Sequence, residues 1–112
     1  MKFRKKHYHF MGSPAIRQKL AADGVDTNGC THLDQIQDVT PSADGCEDCL
    51  KIGDSWVHMR ICLICGHAGC CDNSKNKHAT KHYHQTGHPL IQSLEPGESW
   101  LWCYTDQAPI AL

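Results

Sequence analysis

The stretch that decides the fold runs from Cys62 to His88 and reads C-L-I-C-G-H-A-G-C-C-D-N-S-K-N-K-H-A-T-K-H-Y-H-Q-T-G-H. Cys62 and Cys65 stand at the spacing of a zinc knuckle, in which two sulfurs face one ion through a tight turn. Cys70 and Cys71 follow. His78 and His82 lie one helical turn apart, so a helix here presents both imidazoles on one face and both can reach one metal. Gly87 and Pro89 stop that helix around His88. Thiolates and imidazoles at these intervals are the donors of a tetrahedral zinc site.

Further donors flank the stretch. Cys46-x-x-Cys49 is a second knuckle, Cys30-x-His32 opens the run, and Cys103 closes it. Eleven Cys and His donors result. Asp106, three residues beyond Cys103, is the natural twelfth, because carboxylate oxygen also ligates zinc. Twelve donors fill three tetrahedral sites, so three zinc ions are expected. The other reading of Asp106 is an exposed acid beside an empty site, which leaves two ions. Cys71 is the alternative to Cys70 as ligand.

The 112-residue chain is long enough for one domain with a modest core. Eight cysteines also fit a disulfide framework, which belongs to secreted chains. The opening M-K-F-R-K-K-H-Y-H-F has a basic region with no apolar run behind it, so no secretory leader is expected. No stretch approaches membrane-spanning length. A reducing, cytoplasmic setting and metal-bound thiols follow as the expectation. Charge is segregated: residues 1–22 hold six basic and no acidic residues, whereas the rest holds five basic against twelve acidic. An acidic folded part is a poor general nucleic-acid binder.

Residues 1–12 read as a basic arm with Phe3, Tyr8 and Phe10. Ser13-Pro14 suits a helix start, with Ser13 as N-cap, Ile16 and Leu20 on one face and Gly24 as the stop. Lys51 to Asp54 reads as a turn into a strand, in which Trp56, His58 and Arg60 share a face. Ser74 or Asn76 can cap the helix that carries His78. Leu90–Leu94 and Ser99–Tyr104 read as an antiparallel hairpin about the turn Glu95-Pro96-Gly97-Glu98. Trp100, Trp102 and Tyr104 project from one side of it, Leu101 and Cys103 from the other. The fold expected is α+β: an antiparallel sheet packed with one main helix and stabilised by zinc. Residues 1–29 form an extension, 30–107 the finger and 108–112 a tail.

These residues resemble the ubiquitin-specific-protease-type zinc finger, a ubiquitin-binding family. The resemblance rests on Cys30-x-His32, Cys46-x-x-Cys49, Cys62-x-x-Cys65, Cys70, His78-Ala79-x-x-His82, Thr86-Gly87-His88-Pro89-Leu90 and Trp102-Cys103-Tyr104. It implies three interleaved sites. One holds Cys30, His32, Cys103 and the position of Asp106. A second holds Cys46, Cys49, Cys70 and His88, and a third Cys62, Cys65, His78 and His82. Where the family usually has Gly-Arg after the cysteine matching Cys70, this chain has Cys71-Asp72. Asp72 reverses the charge that helps hold the ubiquitin tail, so ubiquitin recognition does not carry over with zinc binding. Trp56, Trp102 and Tyr104 match the type of the aromatics that sandwich a Gly-Gly tail, and Arg60 can replace the lost cation. The other reading makes these aromatics plain core.

The function expected is a non-enzymatic, monomeric zinc-binding module that recognises a protein or peptide, in particular a free C-terminus. A redox- or metal-responsive zinc protein with Cys71 as the free thiol is the alternative. A zinc hydrolase ranks below both, because no general-base motif such as H-E-x-x-H is present.

Overall fold

The computed structural model describes residue 10, residues 12–21 and residues 25–112. The basic arm at 1–9 and the expected helix stop at Gly24 lie outside the described residues.

The first helix, α1, spans Ser13–Leu20 with Pro14 in its first turn. Its N-cap is Gly12 rather than Ser13. The Ser13 hydroxyl instead donates to the carbonyl of Gln37, and Arg17 donates to the Ile36 carbonyl at 2.7 Å. Ile16 is fully buried in the common core, which contributes about 1.5–3 kcal/mol. The helix therefore packs on the body of the protein, which offsets the poor intrinsic stability of eight residues.

Helix α2 occupies Glu47–Ile52, where a turn was expected. Cys46 is its N-cap, its Sγ accepting from the Cys49 N–H at 3.5 Å, and Gly53 closes it in the left-handed conformation. Glu47 and Asp48 in the first turn and Lys51 in the last suit the helix dipole. The following strand, β1, begins only at Met59 and runs to Cys62.

Strand β2 is Ala68–Cys70, helix α3 His78–Thr86, and β3, β4 and β5 are Leu90–Ser93, Trp100–Cys103 and Ala108–Ala111. The sheet order is β2-β1-β3-β4-β5, every pair antiparallel. The residues expected as a C-terminal tail thus form an edge strand, on which Ile110 is fully buried. Pro109 is tolerated there because an edge strand leaves one row of backbone groups unpaired. The β3–β4 turn is as expected: Gly97 has φ +83°, and the Glu98 N–H donates to the Glu95 carbonyl at 3.1 Å.

One face of the sheet carries Met59, Ile61, Leu101 and Ile110, all fully buried and joined in one cluster with Ile16 and Ile36. The other face carries Arg60, Ile91, Trp100 and Trp102, as the pairings Arg60–Ser93 and Ile91–Trp102 require. Helix α3 lies over this second face at its β2 end. It approaches so closely that a Cβ on Gly69 would fall 2.9 Å from the Ala79 nitrogen. Lys77 precedes α3 with φ +50° and no side chain caps it. Ser74 instead accepts from the Val57 N–H at 2.9 Å, and Asn76 donates to Asp54 at 3.0 Å.

Candidate metal centres and an aromatic groove

Eight cysteines are free thiols, and seven of them fall into three groups with histidine and aspartate. The first group is Cys46, Cys49, Cys70 and His78. Cys46 and Cys49 come from the start of α2, Cys70 from the end of β2, and His78 from the first position of α3. His78 Nδ1 lies 3.2, 3.3 and 3.6 Å from the three sulfurs, and Cys49 Sγ lies 3.9 Å from Cys70 Sγ. A tetrahedral zinc with bonds of about 2.0 Å to nitrogen and about 2.3 Å to sulfur sets donor separations of about 3.5–3.8 Å. The group fits such an ion.

The second group is Cys62, Cys65, His82 and His88. The knuckle between β1 and β2 presents both sulfurs, closed by the Gly66 N–H on the Cys62 carbonyl at 2.8 Å. Cys65 Sγ lies 3.3 Å from His82 Nε2, and Cys62 Sγ lies 3.5 Å from His88 Nδ1. The partition expected from the family resemblance is therefore corrected: His78 and His88 exchange places. The reason is where α3 docks. Its first turn abuts β2 at Gly69, where the His78 N–H also meets Cys70 Sγ at 3.2 Å. One turn later, His82 stacks on His67 at 4.2 Å, beside the second knuckle. His67 itself is held by Asp48 at 2.8 Å. No spacing rule singled out His67.

The third group is Cys30, His32, Cys103 and Asp106, as expected. Cys103 Sγ lies 3.5 Å from His32 Nδ1 and 3.5 Å from Asp106 Oδ2. His32 and Asp106 stand at 2.8 Å, a hydrogen-bond length. In this group Cys30 and Cys103 are buried, whereas the His32 and Asp106 side chains are 22% and 30% exposed. Cys71 joins none of the groups; it is buried beside Ser74, and Cys70 is the residue grouped at that position.

Burial is the largest influence on Cys30, Cys46, Cys62 and His82. It pushes the Cys46 thiol up, and the Cys30 and Cys62 thiols up to about 11. His82 is pushed down to about 4 by burial and then by His67 and His88. Neutral imidazole is the form that binds metal, and a dication converts buried thiols to thiolates.

On the face of the sheet that carries Arg60, a groove of about 220 Å³ is lined by Arg60, Ile91, Trp100, Trp102 and Tyr104, together with Cys71 and the exposed Asp72 and Asn73. Of the expected groove residues, Arg60, Trp102 and Tyr104 are brought together. Trp56 is not among them. Its chain precedes β1, and its ring packs on Gly45, where a Cβ would come within 2.5 Å of it. Trp100 lines the groove in its place, with the Arg60 guanidinium 4.5 Å above its ring. The alternation of β4 had already put Trp100 on this side. Tyr104 stacks in turn on Tyr83 of α3 at 4.8 Å.

Residues 46–111 match the model of the zinc finger in ubiquitin hydrolases and other proteins. The chain belongs to this family. Ubiquitin carboxyl-terminal hydrolase 16 of Mus musculus and that of Rattus norvegicus are each 44% identical to it over 48 residues, 39% of this chain. The matched segment is only 6% and 5% of those two proteins. The solution NMR structure of protein RPA1320 from Rhodopseudomonas palustris is 60% identical, with a TM-score of 0.69, over 75% of this chain and 82% of that one. Family and donor groups together make this a zinc finger, the kind of domain that mediates protein interactions. Among the described residues, no helix is long and apolar enough to cross a membrane.

Proposed function

We propose that this zinc finger holds three zinc ions, one per donor group, and uses its aromatic groove to bind the free carboxyl end of an extended peptide. The observation that carries the reading is the position of Arg60 in the groove. Its side chain is only 11% exposed. Its hydrogen bonds to Met59 and Ser93 and its contact with Glu98 all run through Nη1. The remaining guanidinium edge is available to a carboxylate, which arginine binds through two parallel bonds. Trp100, Trp102 and Tyr104 supply flat walls that suit backbone with little side chain.

The zinc is structural in this reading. Each group provides four protein donors, which leaves no open position for a reactive water, so the module is not an enzyme. Asp72 lines the groove where a cation would favour a ubiquitin tail, so the partner proposed is a peptide end other than that of ubiquitin. The test is a calorimetric titration of zinc-loaded protein with a Gly-Gly-ending peptide and its C-terminal amide. Tighter binding of the free acid, lost in Arg60→Ala, is the expected result. Equal binding of acid and amide rejects carboxylate capture.

A further inference from the structure

We infer that Asp48 and His67 couple the first and second donor groups, so that the two groups gain and lose metal as one unit. The inference rests on the zinc reading proposed above and goes beyond it. It concerns two side chains that are donors in none of the three proposed centres.

Asp48 stands on α2 between Cys46 and Cys49, two donors of the first group. Its Oδ2 meets His67 Nε2 at 2.8 Å. His67 in turn is held to the second group at two points. Its carbonyl accepts from the Cys62 N–H at 2.9 Å, and its ring stacks on His82 at 4.2 Å with the planes 7° apart. His82 meets His88, the other histidine of that group, edge to face at 5.5 Å. The His67 ring is also firmly seated. Only 13% of its side chain is exposed, and a Cβ on Gly69 would fall 3.1 Å from its Cε1.

Contact therefore runs from α2, which carries the first knuckle, to the histidines of the second group. Helix α3 makes another link between the groups, because it carries both His78 and His82. The two links close a ring through α2, the β1–β2 turn and α3. In such a ring a donor of one group cannot shift without disturbing a donor of the other. Coupling of this kind is reciprocal: whatever order one group gains from its metal favours metal in the other.

The test separates the groups by their donors. The first offers three sulfurs and a nitrogen, the second two sulfurs and two nitrogens, the third two sulfurs, a nitrogen and an oxygen. Cadmium-113 loaded into the full chain therefore gives each group its own NMR signal. The metal is then withdrawn stepwise with a chelator. Cadmium is soft and favours thiolate, so independent groups would lose the second signal before the first. In wild type the first and second signals are expected to fall together. Asp48→Ala removes the bond to His67, and His67→Phe removes it while keeping a ring against His82. In both, the second signal should vanish ahead of the first, at about tenfold less chelator, the scale of an outer-shell partner. Asp48→Asn keeps an acceptor oxygen and should behave as wild type. The spectrum before chelation reports the folding of each variant. Loss of the second signal before the first in wild type overturns the coupling. So does joint loss in both Asp48→Ala and His67→Phe, which assigns the link to α3 alone. A third signal missing from the loaded wild type overturns the three-ion reading and leaves the coupling standing. A missing first or second signal overturns both.

Discussion

His78 and His82 stand one turn apart on α3, yet they serve different donor groups. His78 Nδ1 lies 3.2 Å from Cys46 Sγ, and His82 Nε2 lies 3.3 Å from Cys65 Sγ. The helix therefore bridges two centres instead of completing one. Paired substitutions distinguish the two arrangements. Cys46→Ser with His78→Ala should remove one zinc, because both residues belong to one group. Cys62→Ser with His78→Ala should remove two. Elemental analysis of the purified proteins reads the difference, and the opposite result restores the partition implied by the family resemblance.

Asp106 is the one oxygen donor of the three groups, and it is exposed. Asp106→Ala should lower the zinc content from three to two with the other centres intact. Asp106→Cys should slow zinc release to a chelator by about tenfold, since zinc holds thiolate well and the group already has two sulfurs. Stoichiometry and competition with a chromogenic chelator measure both.

Acid should weaken the fold through His82. Its folded value is about 4 against an ordinary 6.5. Above 6.5 both folded and unfolded chains leave it neutral, and pH has no effect through this group. Below 6.5 the unfolded chain takes up a proton that the folded chain refuses, so stability falls until about pH 4 and then levels. Zinc bound at His82 deepens the fall, because protonation competes with the metal. Melting temperature against pH, with zinc and with chelator, should show the loss in this window and a flat profile between 7 and 8 for His82→Ala relative to wild type.

Gly66→Ala should destabilise the protein by about 2–4 kcal/mol. The residue has φ +85°, and an added Cβ would fall 2.4 Å from the Thr40 carbonyl oxygen. The Gly66 carbonyl also accepts from the Ser42 N–H at 2.9 Å. Moving the knuckle to relieve the contact disturbs both that loop and the Cys62–Cys65 pair. Denaturant unfolding of the zinc-loaded protein measures the cost; a change below 0.5 kcal/mol would show that the loop yields freely.

The sequence was most informative where chemistry depends on local spacing. The Cys-x-x-Cys pairs, the Pro96-Gly97 turn and the split of Trp100 and Trp102 from Leu101 and Cys103 are all short-range patterns, and each appears in the structure. What the spacing could not carry was docking. Two histidines at helical spacing can reach one metal, but only the position of α3 over β2 decides whether they do. Cys46 capping α2 through sulfur lies outside the usual capping residues. Strand β5 holds a proline among small residues and gains its identity from pairing with β4. Trp56 was placed by extending a strand three residues too early, past Val57 and His58 to Met59.

The crossing of donors along the chain also fixes when each group can be finished during synthesis. The first is complete once His78 has left the ribosome, the second with His88, and the third only with Asp106. Cys30 and His32 must therefore wait for Cys103 and Asp106. On the proposed zinc reading the donor groups are completed from the middle outward, and the clasp that joins Cys30 and His32 to the end of β4 is the final one to shut.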